Sequence, residues 1–267
     1  MKLYRHWHKY HGTVEIDGRA TPITCLGGSN VSAADAERAA RERADRVQQR
    51  IKGQPWPADD YEPEIREQVL ASLDDHNLIS RNRYGAEVLN SENLLMMDLD
   101  HPRLGFWRRW FGRPNLAERK KLMVEQARRQ AGRPEYRGLG FRFYETHSGV
   151  RVLVTGRDFD PRGTEATAML QAFHADPLYS LLCRKQACFR ARLTPKPYRL
   201  KCRGLKVRYP RDEAEERIFD AWRQEYDGAR APYDVCRFLA SAGVSHAHRV
   251  VEYHDQATGA FGSRKLA

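Results

Sequence analysis

Short runs of alternating apolar and polar residues open the chain, a pattern typical of half-buried β-strands. Glycine-containing turns separate these runs, which cover residues 3–10, 13–16 and 21–26. An Ala- and Arg-rich segment follows. It begins at Ser32 and has Asp35 three residues later, which is close to the capping-box pattern of a helix start. We therefore predict a helix over residues 32–51.

Strand-like and helix-like patterns alternate through the rest of the chain. The strand patterns cover residues 84–89, 93–100, a hairpin at 138–155, and 249–254. The helical patterns cover residues 63–73, 116–131, 164–174, 212–226 and 233–242. No internal repeat or low-complexity linker interrupts them. This mixture of elements predicts an α+β or an α/β fold.

Basic residues outnumber acidic ones, with 46 Lys and Arg against 35 Asp and Glu and a formal net charge of +11. Such an excess of positive charge favours a polyanionic partner, because cations that replace condensed counterions drive nucleic-acid binding. The alternative is that the charge serves only solubility. The apolar fraction of 41% is high enough for a sizeable core and excludes a disordered chain.

Neither a membrane-spanning segment nor a signal peptide is predicted from these residues. No apolar segment approaches the roughly 20 residues that span a bilayer, and the first residues lack a signal-peptide pattern. The five cysteines lack the spacing of a disulfide scaffold, which is typical of reduced thiols. We therefore expect a soluble, cytoplasmic protein with no membrane partner.

Two aspartates follow a run of apolar residues in the segment Leu94-Leu95-Met96-Met97-Asp98-Leu99-Asp100. Alternate side chains share one face of a strand, so Asp98 and Asp100 are predicted to project together from a central strand, roughly 6–7 Å apart at Cα. Such a pair suits a hard cation that prefers oxygen ligands, Mg²⁺ or Mn²⁺. The alternative is a strand end at which both carboxylates are hydrated.

The predicted hairpin at residues 138–155 carries arginine on one face. If His147 and Ser148 form a two-residue turn, Tyr144 lies opposite Arg151 and the apolar side chains collect on the other face. The planar guanidinium of Arg151 suits a triphosphate because it donates two hydrogen bonds at once. The alternative is an exposed arginine on an ordinary hairpin.

A basic stretch follows Asp176. This residue could complete a set of carboxylates, although an Asp that precedes Pro177 is also typical of a helix entry. Beyond it, side chains that could meet phosphate groups stand at Arg190, Arg192 and Lys196. The three segments together thus combine paired carboxylates with nearby cations.

This combination resembles the archaeo-eukaryotic primase superfamily, also called primase-polymerases, over about residues 80–200. The family's first motif matches Asp98 and Asp100. Its second motif, Ser-x-His, is partly matched: Ser148 and Gly149 fit, but Arg151 stands where the histidine is expected.

The third motif of that family is an apolar residue followed by Asp. Asp176 is the best match, and Asp158 and Asp160 compete with it. The resemblance implies a central, mostly antiparallel sheet flanked by helices, of the RNA-recognition-like kind, within residues 1–204. Residues 205–267 would then form a C-terminal α/β extension that packs on the same domain.

The resemblance also implies a function, that of a metal-dependent nucleotidyltransferase that makes or extends DNA or RNA from nucleoside triphosphates. Its cofactor would be Mg²⁺ or Mn²⁺, and its nucleic-acid partner would have single-stranded character. The metal-binding and catalytic residues would be Asp98, Asp100 and Asp176. The nucleotide-binding residues would be Ser148, Gly149, Arg151, Arg190, Arg192 and Lys196. An Asn at position 98 or 100 is expected to stop incorporation and leave the fold intact.

Two other functions are consistent with the same residues. The chain could be a nucleic-acid-binding module that keeps the fold without turnover. Single strands would then contact a surface patch in which aromatic residues alternate with arginine, at Trp107, Arg108, Arg109 and Trp110. Asp-x-Asp also occurs in phosphohydrolases of the haloacid dehalogenase type, but His101-Pro102 follow here where that family has Thr or Val.

Zinc is a further alternative, with ligands at His174, Cys183, Cys188 and Cys202. The cysteines lack the paired spacing of a zinc ribbon. We expect Cys183 and Cys188 to pack in the core, as free cysteines commonly do.

Overall fold

The computed structural model describes residues 1, 3–54, 65–101 and 115–267. Over these residues the predicted α+β class is confirmed, with antiparallel sheets flanked by helices, but two four-stranded sheets stand where one central sheet was predicted. The strands are β1 (His6–Ile16), β2 (Arg19–Ser29), β3 (Gln68–Ser72), β4 (Asn77–Arg81), β5 (Glu87–Ser91), β6 (Leu95–Leu99), β7 (Gly140–Thr146), β8 (Val150–Thr155), β9 (Phe189–Arg192), β10 (Tyr233–Asp234), β11 (Cys236–Gly243) and β12 (Lys265–Leu266). The helices are α1 (Ala33–Ile51), α2 (Leu116–Ala131), α3 (Thr164–Ala172), α4 (Pro177–Gln186), α5 (Glu213–Arg230) and α6 (Arg249–Thr258).

The N-terminal residues form one long hairpin of β1 and β2, where the sequence predicted three short strands. The predicted helix is confirmed as α1, and the side chain of Ser32 caps it by accepting a hydrogen bond from the Asp35 amide at 3.1 Å. Helix α1 packs closely on the hairpin at Gly27. A Cβ atom at this position would lie 2.2 Å from backbone atoms of the helix, so only glycine permits the approach.

The first sheet has the strand order β11-β7-β8-β6. The register predicted for the hairpin is confirmed, because Tyr144 pairs with Arg151 across β7 and β8. On the other side of β8, Asp98 of β6 pairs with the same Arg151. Helix α2 packs against β7, β8 and β11, and His254 of α6 contacts the Tyr144 ring at 5.0 Å between centroids. Every residue of β8 is buried as a result.

The second sheet has the order β3-β4-β5-β9, and its edge strand β9 runs beside β6. The hydroxyl of Tyr179, on α4, donates a hydrogen bond to the Met96 carbonyl of β6 at 2.6 Å. The same hydroxyl accepts a hydrogen bond from the Arg190 amide of β9 at 3.2 Å. The Tyr179 hydroxyl therefore links β6 to β9, two neighbouring strands that are not joined by a ladder of backbone hydrogen bonds. Strand β6 is an edge strand of its sheet, so the prediction of a central strand was wrong.

Three predicted elements are wrong in type. Residues 68–72, predicted as helix, form β3, and most of the predicted helix at 233–242 is strand β11. The predicted last strand at 249–254 is the start of helix α6. Strand β11 forms because its backbone pairs with β7, a partner almost a hundred residues earlier. The buried side chains of α6 recur with helical spacing at Val250, Val251, His254, Asp255 and Thr258.

The C-terminal residues share the first sheet with the rest of the chain. Strand β11, which lies within residues 205–267, is hydrogen-bonded along most of its length to β7. Helix α6 adds the buried His254 to the same core. Among the helices described here, none combines the length and the apolar character that crossing a membrane requires.

Candidate active site at the end of strand β6

A buried ion pair joins β6 to β8. Arg151 donates hydrogen bonds to Asp98 from Nε to Oδ1 at 2.9 Å and from Nη2 to Oδ2 at 3.5 Å. The Arg151 side chain is 2% exposed and the Asp98 side chain 29% exposed, so only the carboxylate reaches solvent. The cross-strand register of β6 and β8 brings the two side chains face to face.

The remaining nitrogen of Arg151 is also engaged by the protein. Its Nη1 donates to the carbonyl oxygen of Arg192 on β9 at 2.9 Å and lies 3.3 Å from Nε2 of His254. All three guanidinium nitrogens therefore have partners within the fold. The sequence suggested that Arg151 binds a triphosphate, but the structure places it where it holds Asp98 and ties β8 to β9.

Charge stabilises the ion pair against the cost of burial. Burial opposes ionisation of Asp98, but the charge and hydrogen bonds of Arg151 outweigh it and lower the pKa of Asp98. Burial likewise opposes the charged form of Arg151, and Asp98 outweighs that effect and raises the pKa of Arg151. Both groups are therefore charged at neutral pH.

Helix α6 supplies a second layer of polar groups behind this pair. Nδ1 of His254 lies 3.1 Å from Oδ1 of Asp255, and Arg142 of β7 donates to the other carboxylate oxygen of Asp255. Nε of Arg142 also donates to the hydroxyl of Tyr144 at 2.8 Å. Burial, reinforced by the charge of Arg151, lowers the pKa of His254, which is therefore neutral at pH 7. This network fixes the side of Arg151 that faces away from Asp98.

Asp100 follows the end of β6 and stays close to the turn of the β7–β8 hairpin. Its Oδ1 lies 3.1 Å from the point where a Cβ on Gly149 would stand. Partial burial, followed by the negative charges of Asp98 and Asp176, raises the pKa of Asp100. The three carboxylates are therefore near enough to repel one another.

Asp176 caps helix α4. Its Oδ1 accepts a hydrogen bond from the Leu178 amide at 2.9 Å, and its own amide donates to the carbonyl oxygen of Asp98 at 3.2 Å. The helix-entry role that the sequence allowed is thus present. The backbone contact also holds the start of α4 against the end of β6.

Positive charges collect opposite these carboxylates. Arg199 donates from Nη2 to the Ser148 hydroxyl at 3.3 Å, and the charge of Lys196 acts on Asp100. Burial lowers the pKa of Arg192 and the charges of Arg151 and Arg199 act in the same direction, although the negative charge of Asp98 partly opposes them. Within the described residues the Arg192 guanidinium has no hydrogen-bond or ion-pair partner. It is thus a desolvated cation that a phosphate group would satisfy.

Arg190 differs from Arg192, although the sequence grouped them. The Arg190 Nη2 donates to both carboxylate oxygens of the buried Glu67 at 2.6 Å. Glu67 also accepts a hydrogen bond from the Ser80 hydroxyl. Arg190 is therefore committed to a structural ion pair between β9 and the segment that precedes β3.

Two cavities border the end of β6. A cleft of ≈ 820 Å³ beside β9 has Asp98 in its lining. Six arginines contribute to that lining, and they are Arg43, Arg66, Arg83, Arg190, Arg192 and Arg208. Asp100 and Asp176 line a second cavity of ≈ 830 Å³ between α3 and α4. The two aspartates of the Asp-x-Asp motif thus contribute to different cavities.

Asp98 and Asp100 are the side chains at this site that could each offer a carboxylate to a metal ion. No three His, Cys, Asp or Glu side chains within the described residues are placed to hold a metal ion together. Mg²⁺, however, commonly takes one or two carboxylates and completes its coordination with water and substrate phosphates. Asp98 and Asp100 fit that case, because a carboxylate that binds Arg151 keeps free lone pairs.

The other predicted sites have different outcomes. Cys183 and Cys188 are buried free thiols, as expected, and their pKa values are raised by burial to about 12 and about 11. Among the described residues, no three His, Cys, Asp or Glu side chains are close enough together to hold a zinc ion. The aromatic-arginine patch with Trp107, Arg108, Arg109 and Trp110 lies outside the described residues and stays a sequence prediction.

Sequence patterns missed Tyr179, Arg199, His254 and Asp255, which position the site. Helical spacing within residues 249–258 was the available signal for the last two. For Tyr179 the sequence offers no signal, because its partners lie on two strands that only the fold brings together.

In comparisons with known proteins, no protein family, curated protein or solved structure matches this chain.

Gly149→Ala is expected to lower the free energy of unfolding by about 2–3 kcal/mol, because overpacked groups force the backbone to move. The added methyl group would lie 2.2 Å from the carbonyl oxygen of Leu99. Urea unfolding measures the effect. Gly204→Ala is the matched control, since a Cβ there meets nothing within 4 Å. Equal effects of the two substitutions would contradict the close approach at Gly149.

Proposed function

We propose that this protein is a metal-dependent nucleotidyltransferase of the primase-polymerase type. One observation carries the proposal: at the end of β6, Asp98 and Asp100 stand opposite cations that the fold leaves available. Arg192 has no hydrogen-bond or ion-pair partner among the described residues, the charge of Lys196 acts on Asp100, and Arg199 contacts Ser148 nearby. Carboxylates beside unpaired cations are what a metal-bound triphosphate requires.

Each group has a role in this proposal. Asp98 and Asp100 would hold Mg²⁺ or Mn²⁺, which on binding would stabilise the charge of the transferring phosphoryl group. Arg151 is a positioning residue, because it fixes the Asp98 carboxylate through two hydrogen bonds and does not face the substrate. Arg192 and Lys196 would bind the phosphates, and Ser148 would add a hydroxyl donor beside Arg199.

A second function, nucleic-acid binding without turnover, is favoured by one specific observation. Arg151 already neutralises the charge of Asp98, and the Asp176 carboxylate is used as a helix cap. Of the three carboxylates, Asp100 is therefore the one whose negative charge is least balanced by a hydrogen-bond donor or a cation. A site with one uncompensated carboxylate binds a divalent cation weakly, since affinity depends on anionic ligands.

Primer extension distinguishes the two functions. The purified chain is incubated with a primed template, nucleoside triphosphates and Mn²⁺ or Mg²⁺, and nucleotide binding is measured separately by calorimetry. Metal-dependent lengthening of the primer supports the transferase. Binding of oligonucleotide without lengthening under any metal favours the binding module, and binding of neither nucleotide nor oligonucleotide overturns both.

Arg192→Gln probes the phosphate contact in the same assay. Because a charge-assisted hydrogen bond contributes about 1.5–3 kcal/mol, we expect the apparent KM for nucleotide to rise about tenfold or more with a smaller change in kcat. Arg249→Gln is the matched control, since Arg249 is exposed and lines neither cavity. An unchanged KM in the Arg192 variant would remove this residue from the site.

A further inference from the structure

In the segment that follows the short 3₁₀ helix Pro197–Leu200, partly or fully buried apolar side chains are interspersed with exposed basic ones. Its apolar members pack against Phe219 and Trp222 of α5, and they are Leu200, Cys202, Leu205 and Val207. The indole of Trp222 also donates a hydrogen bond to the Arg203 carbonyl at 2.8 Å, which fixes the backbone. The segment is therefore anchored on α5 without belonging to a helix or a sheet.

The exposed side chains of this segment are basic. We call the following set the basic rim: Lys196, Arg199, Lys201, Arg203, Lys206 and Arg208. No Asp or Glu occurs between Pro177 and Arg211. None of the rim residues has an ion-pair partner in the part of the chain that the structure describes. Apart from Lys196, whose charge acts on Asp100, the rim is thus a row of cations that no carboxylate pairs with in the described part of the chain.

The basic rim connects the candidate active site to the arginine-lined cleft. At one end, Arg199 donates a hydrogen bond to Ser148 beside Asp100. At the other end, Arg208 lines the cleft together with Arg66. Burial, followed by the charge of Arg208, lowers the pKa of Arg66, so the two cations lie near each other. Positive charge is therefore continuous from the end of β6 to the cleft.

An exposed aromatic ring stands at the start of the basic rim. Tyr198 is 67% exposed, although its ring is large and apolar. Nζ of Lys196 lies 5.6 Å from the centroid of this ring, and the guanidinium carbon of Arg199 lies 6.0 Å from it. An exposed ring with two cations beside it suits a nucleobase that stacks on the ring while its flanking phosphates meet those cations.

We propose that the basic rim binds single-stranded nucleic acid, with phosphates along Lys201, Arg203 and Lys206 and an unpaired base on Tyr198. A duplex would not offer an unstacked base to the ring. A membrane would favour apolar side chains that insert beside the cations, and the apolar members of this segment face α5 instead. The inference names the partner and its path and does not require catalysis at Asp98 or Asp100.

The test is binding of a fluorescent oligo-dT at several salt concentrations, without metal or nucleoside triphosphate. For the variant K201Q/R203Q/K206Q we expect the slope of log affinity against log salt to become shallower by about two, since each phosphate contact contributes about 0.7 for a single strand. The matched control R137Q/R249Q/K265Q removes the same charge from exposed residues outside the rim. Its slope should stay close to that of the wild type.

Tyr198 provides a test that net charge does not affect. Tyr198→Ala is expected to weaken oligo-dT binding about tenfold, and Tyr198→Phe to leave it within about twofold, because stacking needs the ring and not the hydroxyl. Inorganic polyphosphate serves as a probe without bases. Its affinity should fall in the rim variant and stay unchanged in Tyr198→Ala.

Three results would overturn the proposal. The rim and control variants could lose affinity equally, the wild type could prefer duplex DNA to oligo-dT, or it could bind anionic phosphatidylserine vesicles and no oligonucleotide. Asp100→Asn separates this inference from the transferase function, because it should retain oligo-dT binding. A chain that binds oligo-dT through the rim but never extends a primer would support the rim and contradict the transferase.

Discussion

Arg151→Met is expected to lower the free energy of unfolding by about 3–5 kcal/mol, the usual effect of removing one partner from a buried ion pair. The substitution keeps much of the side-chain volume but leaves the Asp98 carboxylate without its partner. It also leaves the Arg192 carbonyl and His254 without their donor. Because these groups lie on β6, β9 and α6, the loss weakens the contact between both sheets and the last helix.

Urea unfolding of the two proteins measures this loss. Arg41→Met is the matched control, because Arg41 forms an exposed ion pair with Glu37 on α1 and exposed pairs contribute about 0–1 kcal/mol. The double variant D98L/R151M should recover part of the stability, since it leaves no buried charge unpaired. A loss below about 1 kcal/mol for Arg151→Met would show that the pair does not hold the sheets together.

The same pair sets a pH dependence. The folded-state pKa of Asp98 is lowered, so its contribution to stability is complete above the unfolded value of about 3.9 and is lost as the pH falls through the folded value. The difference in stability between wild type and Arg151→Met should therefore be constant from pH 5 to pH 7 and shrink below about pH 4. A difference that grows on acidification would contradict the ion pair.

Asp100→Asn is expected to lower metal-dependent nucleotide incorporation by about three orders of magnitude and leave the fold intact. An amide supplies an oxygen without the negative charge that a cation beside a triphosphate requires, and such charge stabilisation contributes several kcal/mol. The pKa of Asp100 is raised, so its ionised form costs stability at neutral pH. The variant should therefore melt at the wild-type temperature or slightly above it.

Primer extension and a thermal melt are run together on matched variants. Asp158→Asn is the control, because Asp158 is exposed and does not line the cavity that contains Asp100. Asp176→Asn tests the third carboxylate, since Asn caps a helix as well as Asp does and only the charge is lost. Wild-type activity in the Asp100 variant would exclude this residue from the mechanism.

The fold separates two substitutions that the sequence treats as equivalent. Asp98→Asn was expected to leave the fold intact, as Asp100→Asn was. In the structure Asp98 is the sole carboxylate that Arg151 contacts among the described residues, so its removal leaves a buried guanidinium uncompensated. Loss of activity in Asp98→Asn therefore has two causes, and Asp100→Asn is the variant that isolates chemistry.

The sequence by itself determined the elements whose signals are local. Helix α2 begins at a capping box of Asn115 and Glu118 and was predicted with its observed bounds. The register of Tyr144 against Arg151 followed from a two-residue turn and from the alternation of the hairpin. These features depend on hydrogen bonds and side-chain spacing within about 20 residues, which the sequence displays directly.

Only the tertiary structure decided the features that depend on distant partners. Strand β11 is a strand because β7 pairs with it, although its own sequence pattern predicts a helix. Arg151 is buried because Asp98, Arg192 and His254 meet around it, and the sequence could not show that an arginine on a hairpin would have three partners so far apart. Tyr179 joins two sheets for the same reason. Burial and ion pairing arise from contacts between segments that are distant in the sequence. A local pattern therefore predicts helices and strands, whereas the fold decides which charged side chains remain available to bind a ligand.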